Sequence, residues 1–536
     1  MKRDKIGFWE AFSIGVGGMI GGGIFAVLGL SIQLSKSAAP IAFILAGIIT
    51  LVTAYSYARL SVRFPSEGGT IEFLVKAYGT GIFSGTLNVL LLASYIVMIS
   101  LYAYAFGSYG ANVLSLNHVF AKHLMISFVI VAFTVINAFG AVISGKTEDA
   151  LVAFKLAVLL IVVGAGIAFV NLDRLAPSNW ADPIGIIAGG MIIFLAYEGF
   201  ELIANTAADV ENPSILPKAF YASVVVVVAV YVMVAFVTVG TLPYDVIIRA
   251  RDYALAVAAK PSLGEFGFWL VTAAALASTS SAINATLYGT ARASYMVAKY
   301  GQLPKSVEKP VWKQAYEGLI VISLLSLILS NTANLKSIST AGSGGFLIVF
   351  LFVNLAAFKL RKKLRIHPTL PLLGAILTFS ALLILLYKIV ESGIENLTVL
   401  AILVLASLSI EVVYRYLTGR RIEEYLDLRL MEREENIRNW QKWVDNVVES
   451  IADAFEDAEV YLVGSIARGE IEKANDVDLL VLTKTPPDKR LEKEIKRKIK
   501  AKARLTPQHS VDIHFGDKRI KDEELRRAKV YKPLRS

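Results

Sequence analysis

Apolar residues gather into runs close to the roughly 20 residues that an α-helix needs to cross a bilayer, with short polar links between them. The runs fall near 9–31, 38–62, 82–108, 123–143, 149–170, 184–207, 218–241, 265–298, 315–332, 339–359, 370–388 and 396–416. They predict an all-α polytopic membrane domain of twelve transmembrane helices over residues 1–416, with both of its ends on one side. Beyond residue 416 the pattern changes. Residues 417–457 read as a charged helical linker or support, with Trp440, Trp443 and Val444 on one packing stripe, and residues 458–536 read as a small soluble α/β domain.

Two of the runs are interrupted. The first contains Gly15-Val16-Gly17-Gly18-Met19-Ile20-Gly21-Gly22-Gly23-Ile24-Phe25, and each glycine in a helix costs up to about 1 kcal/mol relative to alanine. Unwound backbone survives at membrane depth only where protein or a water-filled cavity covers it. A broken helix there offers amide N–H groups at the start of one half and carbonyls at the end of the other, which suits a ligand carrying both a carboxylate and an amine, as an amino acid does. The alternative is that the glycines only let neighbouring helices pack closely. The sixth run carries Phe194-Leu195-Ala196-Tyr197-Glu198-Gly199-Phe200-Glu201, and ionisable residues at membrane depth mark functional sites. The first and sixth spans are five apart, so two five-span units of opposite orientation are expected, with the two broken helices facing each other at a pseudo-twofold axis.

Charge sharpens this division. From Leu417 onward there are 26 Lys and Arg and 24 Asp and Glu, against 28 and 20 in the residues before it, so the net charge of +10 comes mostly from the membrane part. Lys2, Arg3, Lys5, Arg59, Arg63, Lys76, Arg292, Lys299 and the run Arg361, Lys362, Lys363 and Arg365 fall on the terminal side, against a thinner scatter such as Lys36, Arg174, Arg249, Arg251 and Lys336 opposite. The positive-inside rule therefore places both termini in the cytoplasm and the protein in the cytoplasmic membrane. The first run is too long for a signal peptide and lacks a small-residue cleavage site, so it reads as an uncleaved span. With no cysteine in the sequence, disulfides and thiolate metal sites are excluded.

Met19-Ile20-Gly21-Gly22-Gly23-Ile24-Phe25 resembles the first-span signature of amino acid permeases of the APC (amino acid–polyamine–organocation) family. Ala196-Tyr197-Glu198-Gly199-Phe200-Glu201, the Asn212-Pro213 to Pro217-Lys218-Ala219 exit, and Thr290-Ala291-Arg292-Ala293 leading to Gly301-Gln302-Leu303-Pro304 agree with it, so the resemblance spans residues 7–416. It implies a LeuT-like five-plus-five inverted repeat with two further helices, and alternating access about a central site. It also implies that the substrate carboxylate meets backbone N–H groups at Gly21, Gly22 and Gly23, beside Ile24. The amine would face carbonyls around Ala196 and Tyr197 next to Gly199, with Phe194 or Tyr197 as an aromatic lid. Apart from Glu198 and Glu201 the expected pocket is apolar or small, which favours small or neutral substrates; Glu198 is the carboxylate that a cationic substrate would need.

Coupling turns on Lys155. It lies about 10 Å inside the fifth span if that helix starts near Glu148, at about 1.5 Å per residue. Desolvated lysines shed a proton readily. In sodium-independent members of the family a fifth-span lysine fills the place where sodium binds in related transporters, so the resemblance implies proton coupling through Lys155, with Glu198 second. Two other readings stand beside it: a lysine that snorkels to the headgroups, and sodium bound by hydroxyls of Ser278-Thr279-Ser280-Ser281 with carbonyls of the first span.

In the tail, Glu459-Val460-Tyr461-Leu462-Val463-Gly464-Ser465 reads as a strand and turn, followed by Asp476-Val477-Asp478 on a second strand. Gly464 and Ser465 at a helix start suit a phosphate. Asp476 and Asp478 alternate on a strand, so both point to one face, and paired carboxylates suit a Mg²⁺ that also holds substrate phosphates. These residues resemble the minimal nucleotidyltransferase module of the DNA polymerase β superfamily over residues 458–517, and Asp512 fits its third carboxylate. The resemblance implies Mg²⁺ and a nucleoside triphosphate as cofactors, with Asp476, Asp478 and Asp512 as the catalytic carboxylates and an RNA or protein acceptor left open. Lys489 to Arg504 is basic at helical spacing and suits a triphosphate, RNA, anionic lipid or plain solvent. His509 and His514 read as surface or core residues, because their spacing alone makes no metal site.

The expectation is thus a secondary active amino acid transporter, proton-coupled through Lys155, with a nucleotidyltransferase-like domain that regulates or modifies. The alternatives are a sensor whose output is the tail enzyme, and a sodium symporter with a silent tail.

Overall fold

A computed structural model describes residues 6–536 except 67, 114–117, 140–144, 211, 301, 304–315, 392, 394–396, 419–436, 438, 470–476, 504, 506–510, 529 and 536. Contacts divide the chain into two compact units, Met1–Ile422 and Glu423–Ser536.

Among the described residues of the first unit, the ten helices long and apolar enough to cross a membrane are Ala39–Arg63, Ile82–Gly110, Val119–Ala138, Asp149–Phe169, Pro183–Asn205, Ile215–Thr241, Lys260–Ala298, Leu335–Lys359, Thr369–Glu391 and Thr398–Leu417. The first span is the pair Phe8–Met19 and Gly23–Ser35, bent by 47° at its break, and a shorter apolar helix, Gly318–Thr332, fills the ninth predicted position. The third and sixth spans are each 83% buried over their apolar windows, whereas the fourth, eleventh and twelfth are buried over only 22%, 33% and 28%. The first group is therefore central, and the second presents its apolar surface to lipid.

Each half carries a short helical insertion between its second and third spans: Thr70–Tyr78 in the first half, and Tyr244–Arg249 with Ala254–Ala258 in the second. That shared placement agrees with a five-plus-five repeat. Local signals set the helix starts. Asp182 Oδ1 accepts from the Gly185 amide at 2.6 Å, with Pro183 at the first helical position, and Asn334 Oδ1 accepts from the Ser337 amide at 2.8 Å. Tyr57 of the second span meets Phe200 of the sixth and Phe350 of the tenth edge-on, at 5.3 and 5.6 Å between ring centres, fixing the central spans around a buried aromatic cluster.

The second unit is built on a four-stranded sheet in the order β3-β2-β1-β4: β1 (Glu459–Val463), β2 (Val477–Thr483), β3 (Val511–Asp517) and β4 (Lys532–Arg535). β1 runs antiparallel to β2 and β4, and β2 runs parallel to β3. Residues 419–436 and 438 of the expected linker over 417–457 lie outside the described residues. From its end, Trp443, Val444, Val447 and Ile451 are buried with Val460, Leu462, Leu479 and Ile499, so this stretch closes one face of the sheet.

Candidate functional site

In the first unit the two interruptions meet. The sixth span leaves helical geometry through a single tight turn, Leu195–Tyr197, and resumes at Leu202–Asn205. Gly199 sits at φ +110°, and a Cβ on it would come within 2.3 Å of the Gly18 carbonyl carbon. A Cβ on Gly18 would in turn come within 2.7 Å of the Gly199 oxygen, and one on Gly23 within 2.7 Å of Ala196 Cα. Glycine is needed here for backbone-to-backbone contact.

The carbonyls that close the half-helix Phe8–Met19 are met by donors from three other spans. Lys155 Nζ donates to the Gly17 oxygen at 2.8 Å. The Tyr231 hydroxyl lies 2.8 Å from the Met19 oxygen and 3.3 Å from that of Ala196, bridging both breaks. The Ser278 hydroxyl lies 3.0 Å from the Ile20 oxygen and 2.8 Å from that of Gly21. A helix C-terminus carries partial negative charge and favours a cation; the buried ammonium of Lys155 occupies that position. The second half begins at Gly23, and its leading amides have no earlier helical carbonyl to bond.

A cavity lies on the terminal side of the breaks. Ile14, Gly17 and Gly18 of the first span line it, with Tyr95, Met98 and Tyr102 of the third, Gly199, Glu201 and Asn205 of the sixth, and Ser281, Ala282, Thr286 and Thr290 of the eighth. Toward the opposite side Asp252 gathers Lys122 at 3.1 Å, Arg251 at 3.2 Å and the Tyr104 hydroxyl at 3.4 Å.

The predicted residues separate into two groups. Gly199 lines the cavity. Gly21, Gly22, Gly23 and Ile24 are buried at the break, where the Tyr102 ring packs against Gly22. Phe194 and Tyr197 do not form a lid here. Phe194 faces Phe350 edge-on at 6.0 Å, and the Tyr197 hydroxyl donates to the Phe43 oxygen at 3.1 Å, which turns both rings into the bundle. The Ala196 oxygen is engaged by Tyr231. Glu198 is fully buried, and neither of its carboxyl oxygens has a hydrogen-bond partner among the described residues. The carboxylate on the cavity is Glu201, whose Oε2 accepts from the Gly199 amide at 2.7 Å and whose Oε1 lies 3.4 Å from the Tyr95 hydroxyl. Sequence reasoning missed Tyr231 and Tyr102.

In the second unit the parallel register pairs Asp478 of β2 with Asp512 of β3, and Val463 at the end of β1 pairs with Asp478 on the other side. Gly464 follows at once, with φ +74°, and a Cβ there would lie 2.2 Å from Asp478 Oδ2, so glycine lets the carboxylate reach the turn. Ser465, next in the turn, accepts from Arg468 at 3.1 Å. Asp476 lies outside the described residues. His514 is at the surface, with its side chain 50% exposed. Two residues after Asp512, it projects to the same face of β3, and its Nε2 lies 3.5 Å from both Asp478 Oδ1 and Asp512 Oδ2. Asp478 and then Asp512 hold the imidazole pKa above its ordinary value against partial burial. Lys496 of the basic helix pairs with Glu492 at 2.7 Å and stands 3.6 Å from Asp512, so this helix turns Lys496 toward the carboxylates. Asp478, Asp512 and His514 bring donor atoms within 4.8 Å of one another. Two carboxylates and an imidazole at that spacing fit a divalent ion.

Residues 6–408 match the amino acid permease family, and residues 444–534 match the nucleotidyltransferase domain. An uncharacterized protein of Methanocaldococcus jannaschii is 36% identical over 78% of this chain and 97% of its own length. The inner membrane transport protein YbaT of Escherichia coli is 32% identical over 73% of this chain and 92% of its own. A crystal structure of the Eremococcus coleocola manganese transporter shares the fold, with a TM-score of 0.50 at 10% identity over 78% of this chain and 95% of that one. With a family match over most of its length and the paired broken spans that such a fold requires, this chain belongs to the amino acid permease family, as a multi-pass membrane protein that also carries a nucleotidyltransferase domain.

Proposed function

We propose that the protein accumulates small or neutral amino acids across the cytoplasmic membrane by proton-coupled alternating access, with both termini cytoplasmic and Lys155 as the coupling group. The observation that carries this reading is the contact between the Lys155 ammonium and Gly17. Gly17 borders the cavity and precedes the residue that touches the sixth-span break. Losing the proton removes the cation from the end of the half-helix Phe8–Met19, so proton occupancy sets how firmly the break is held. The substrate carboxylate would meet the amides that lead the half-helix Gly23–Ser35. Glu201 is the single charged side chain bordering the cavity among the described residues, its oxygens already engaged, which favours an uncharged substrate side chain.

The test is Lys155→Met in proteoliposomes. Loss of gradient-driven accumulation with amino acid exchange retained supports the reading, and unchanged accumulation contradicts it.

For the tail we propose that Asp478 and Asp512, with Asp476, hold a divalent ion next to the Gly464-Ser465 turn, where a nucleoside triphosphate binds. The ion would supply charge stabilisation at the phosphates. Lys496 would lie along the phosphate path.

A further inference from the structure

We infer that His514 is a nitrogen ligand in the tail's ion site, which shifts the preference of that site from Mg²⁺ toward divalent transition ions. The inference rests on the tail reading above and goes beyond it in the donor set and the metal preferred. Three observations support it. The imidazole Nε2 is 3.5 Å from one oxygen of each aspartate, and donor atoms of all three residues lie within 4.8 Å of one another. With metal–ligand bonds of about 2.1 Å, neighbouring ligands sit roughly 3–4 Å apart, and the 3.5 Å separations lie in that range. The parallel register fixes all three on one face: Asp478 is opposite Asp512, and His514 is the next same-face residue on β3.

Lys496 approaches Oδ1 of Asp512, whereas His514 faces Oδ2. The side chains of His514 and Asp512 are 50% and 46% exposed, so an ion can enter from solvent. Mg²⁺ prefers oxygen ligands and water, whereas imidazole suits ions such as Zn²⁺, Fe²⁺ and Ni²⁺, and Mn²⁺ serves here as the paramagnetic probe. A histidine in this place therefore changes which ion binds best.

The test uses the full-length protein in detergent, labelled with ¹⁵N-histidine, with Mn²⁺ as the probe. Pulsed electron paramagnetic resonance reports directly whether a histidine nitrogen is bonded to the ion. We expect a nitrogen coupling that is lost in His514→Gln and kept in His509→Gln. Mn²⁺ affinity should fall at least about tenfold in His514→Gln, by analogy with the loss when a metal-site partner is removed, with Mg²⁺ affinity changed far less. Mn²⁺ binding that depends on Asp478 but shows no histidine coupling overturns the inference and leaves the carboxylate site intact. Absence of any Asp478-dependent Mn²⁺ binding overturns both. The unsubstituted labelled protein answers the question of nitrogen ligation even if a variant fails to fold.

Discussion

Lys155 Nζ lies 2.8 Å from the Gly17 oxygen, joining the fifth span to the residue just before the contact between the two broken helices. An arginine at this position keeps the charge and a donor but cannot give up its proton. Lys155→Arg is therefore expected to fold and to bind amino acid, yet to fail at accumulation driven by a proton gradient. Thermal unfolding in detergent, read beside uptake, separates this from a folding defect. Full gradient-driven uptake by the arginine variant would count against proton release at this site.

Tyr231 ties both breaks together through one hydroxyl. Tyr231→Phe keeps the ring but leaves the Met19 and Ala196 oxygens without that donor, and a buried group left unpaired costs about 1–3 kcal/mol. Reduced stability to unfolding in detergent is expected, together with slower transport. A variant with unchanged stability would mean that the bridge contributes little.

Gly199 has no room for a methyl group and sits at a φ that L side chains rarely adopt. Gly199→Ala should push the sixth-span break away from Gly18 and abolish substrate binding, measured as loss of amino acid-induced thermal stabilisation. Binding equal to that of the unsubstituted protein would show that the close backbone approach is dispensable.

In the tail, Glu459 is held by Lys521 at 2.7 Å, by the Tyr461 hydroxyl at 2.7 Å and by Lys518 at 3.1 Å. These partners, Lys521 first, lower its pKa from 4.5 to about 2. The folded pKa is depressed, so the stabilisation is complete above the unfolded value near 4.5 and disappears as pH falls through about 2. Glu459→Gln should therefore speed hydrogen exchange in β1 at neutral pH, and the difference from the unsubstituted protein should shrink across that acidic window. A difference independent of pH would assign the effect to packing instead.

The spans were legible in the sequence because length and apolarity are local properties: the run predicted at 184–207 is the observed Pro183–Asn205. The breaks were legible for the same reason, since the glycines of 15–23 and the Glu198-Gly199-Phe200-Glu201 stretch contradict their own helices. What lay hidden depends on partners far apart in the chain. Tyr231 sits in a valine-rich helix and reads as core until its hydroxyl is seen against Met19, 212 positions away. Phe194 and Tyr197 are aromatic near the break, but their directions depend on the second and tenth spans that they pack against. His514 has no ligand spacing along the chain, because its neighbour Asp478 arrives through the parallel register of another strand.

The most direct test of proton coupling is uptake of labelled amino acids into sodium-free proteoliposomes that hold the full-length protein, with an inward proton gradient. The account predicts accumulation above equilibrium that collapses when the gradient is dissipated. Uptake that appears only when a sodium gradient is supplied would contradict it and move coupling to Ser278 and the Ile20 and Gly21 carbonyls.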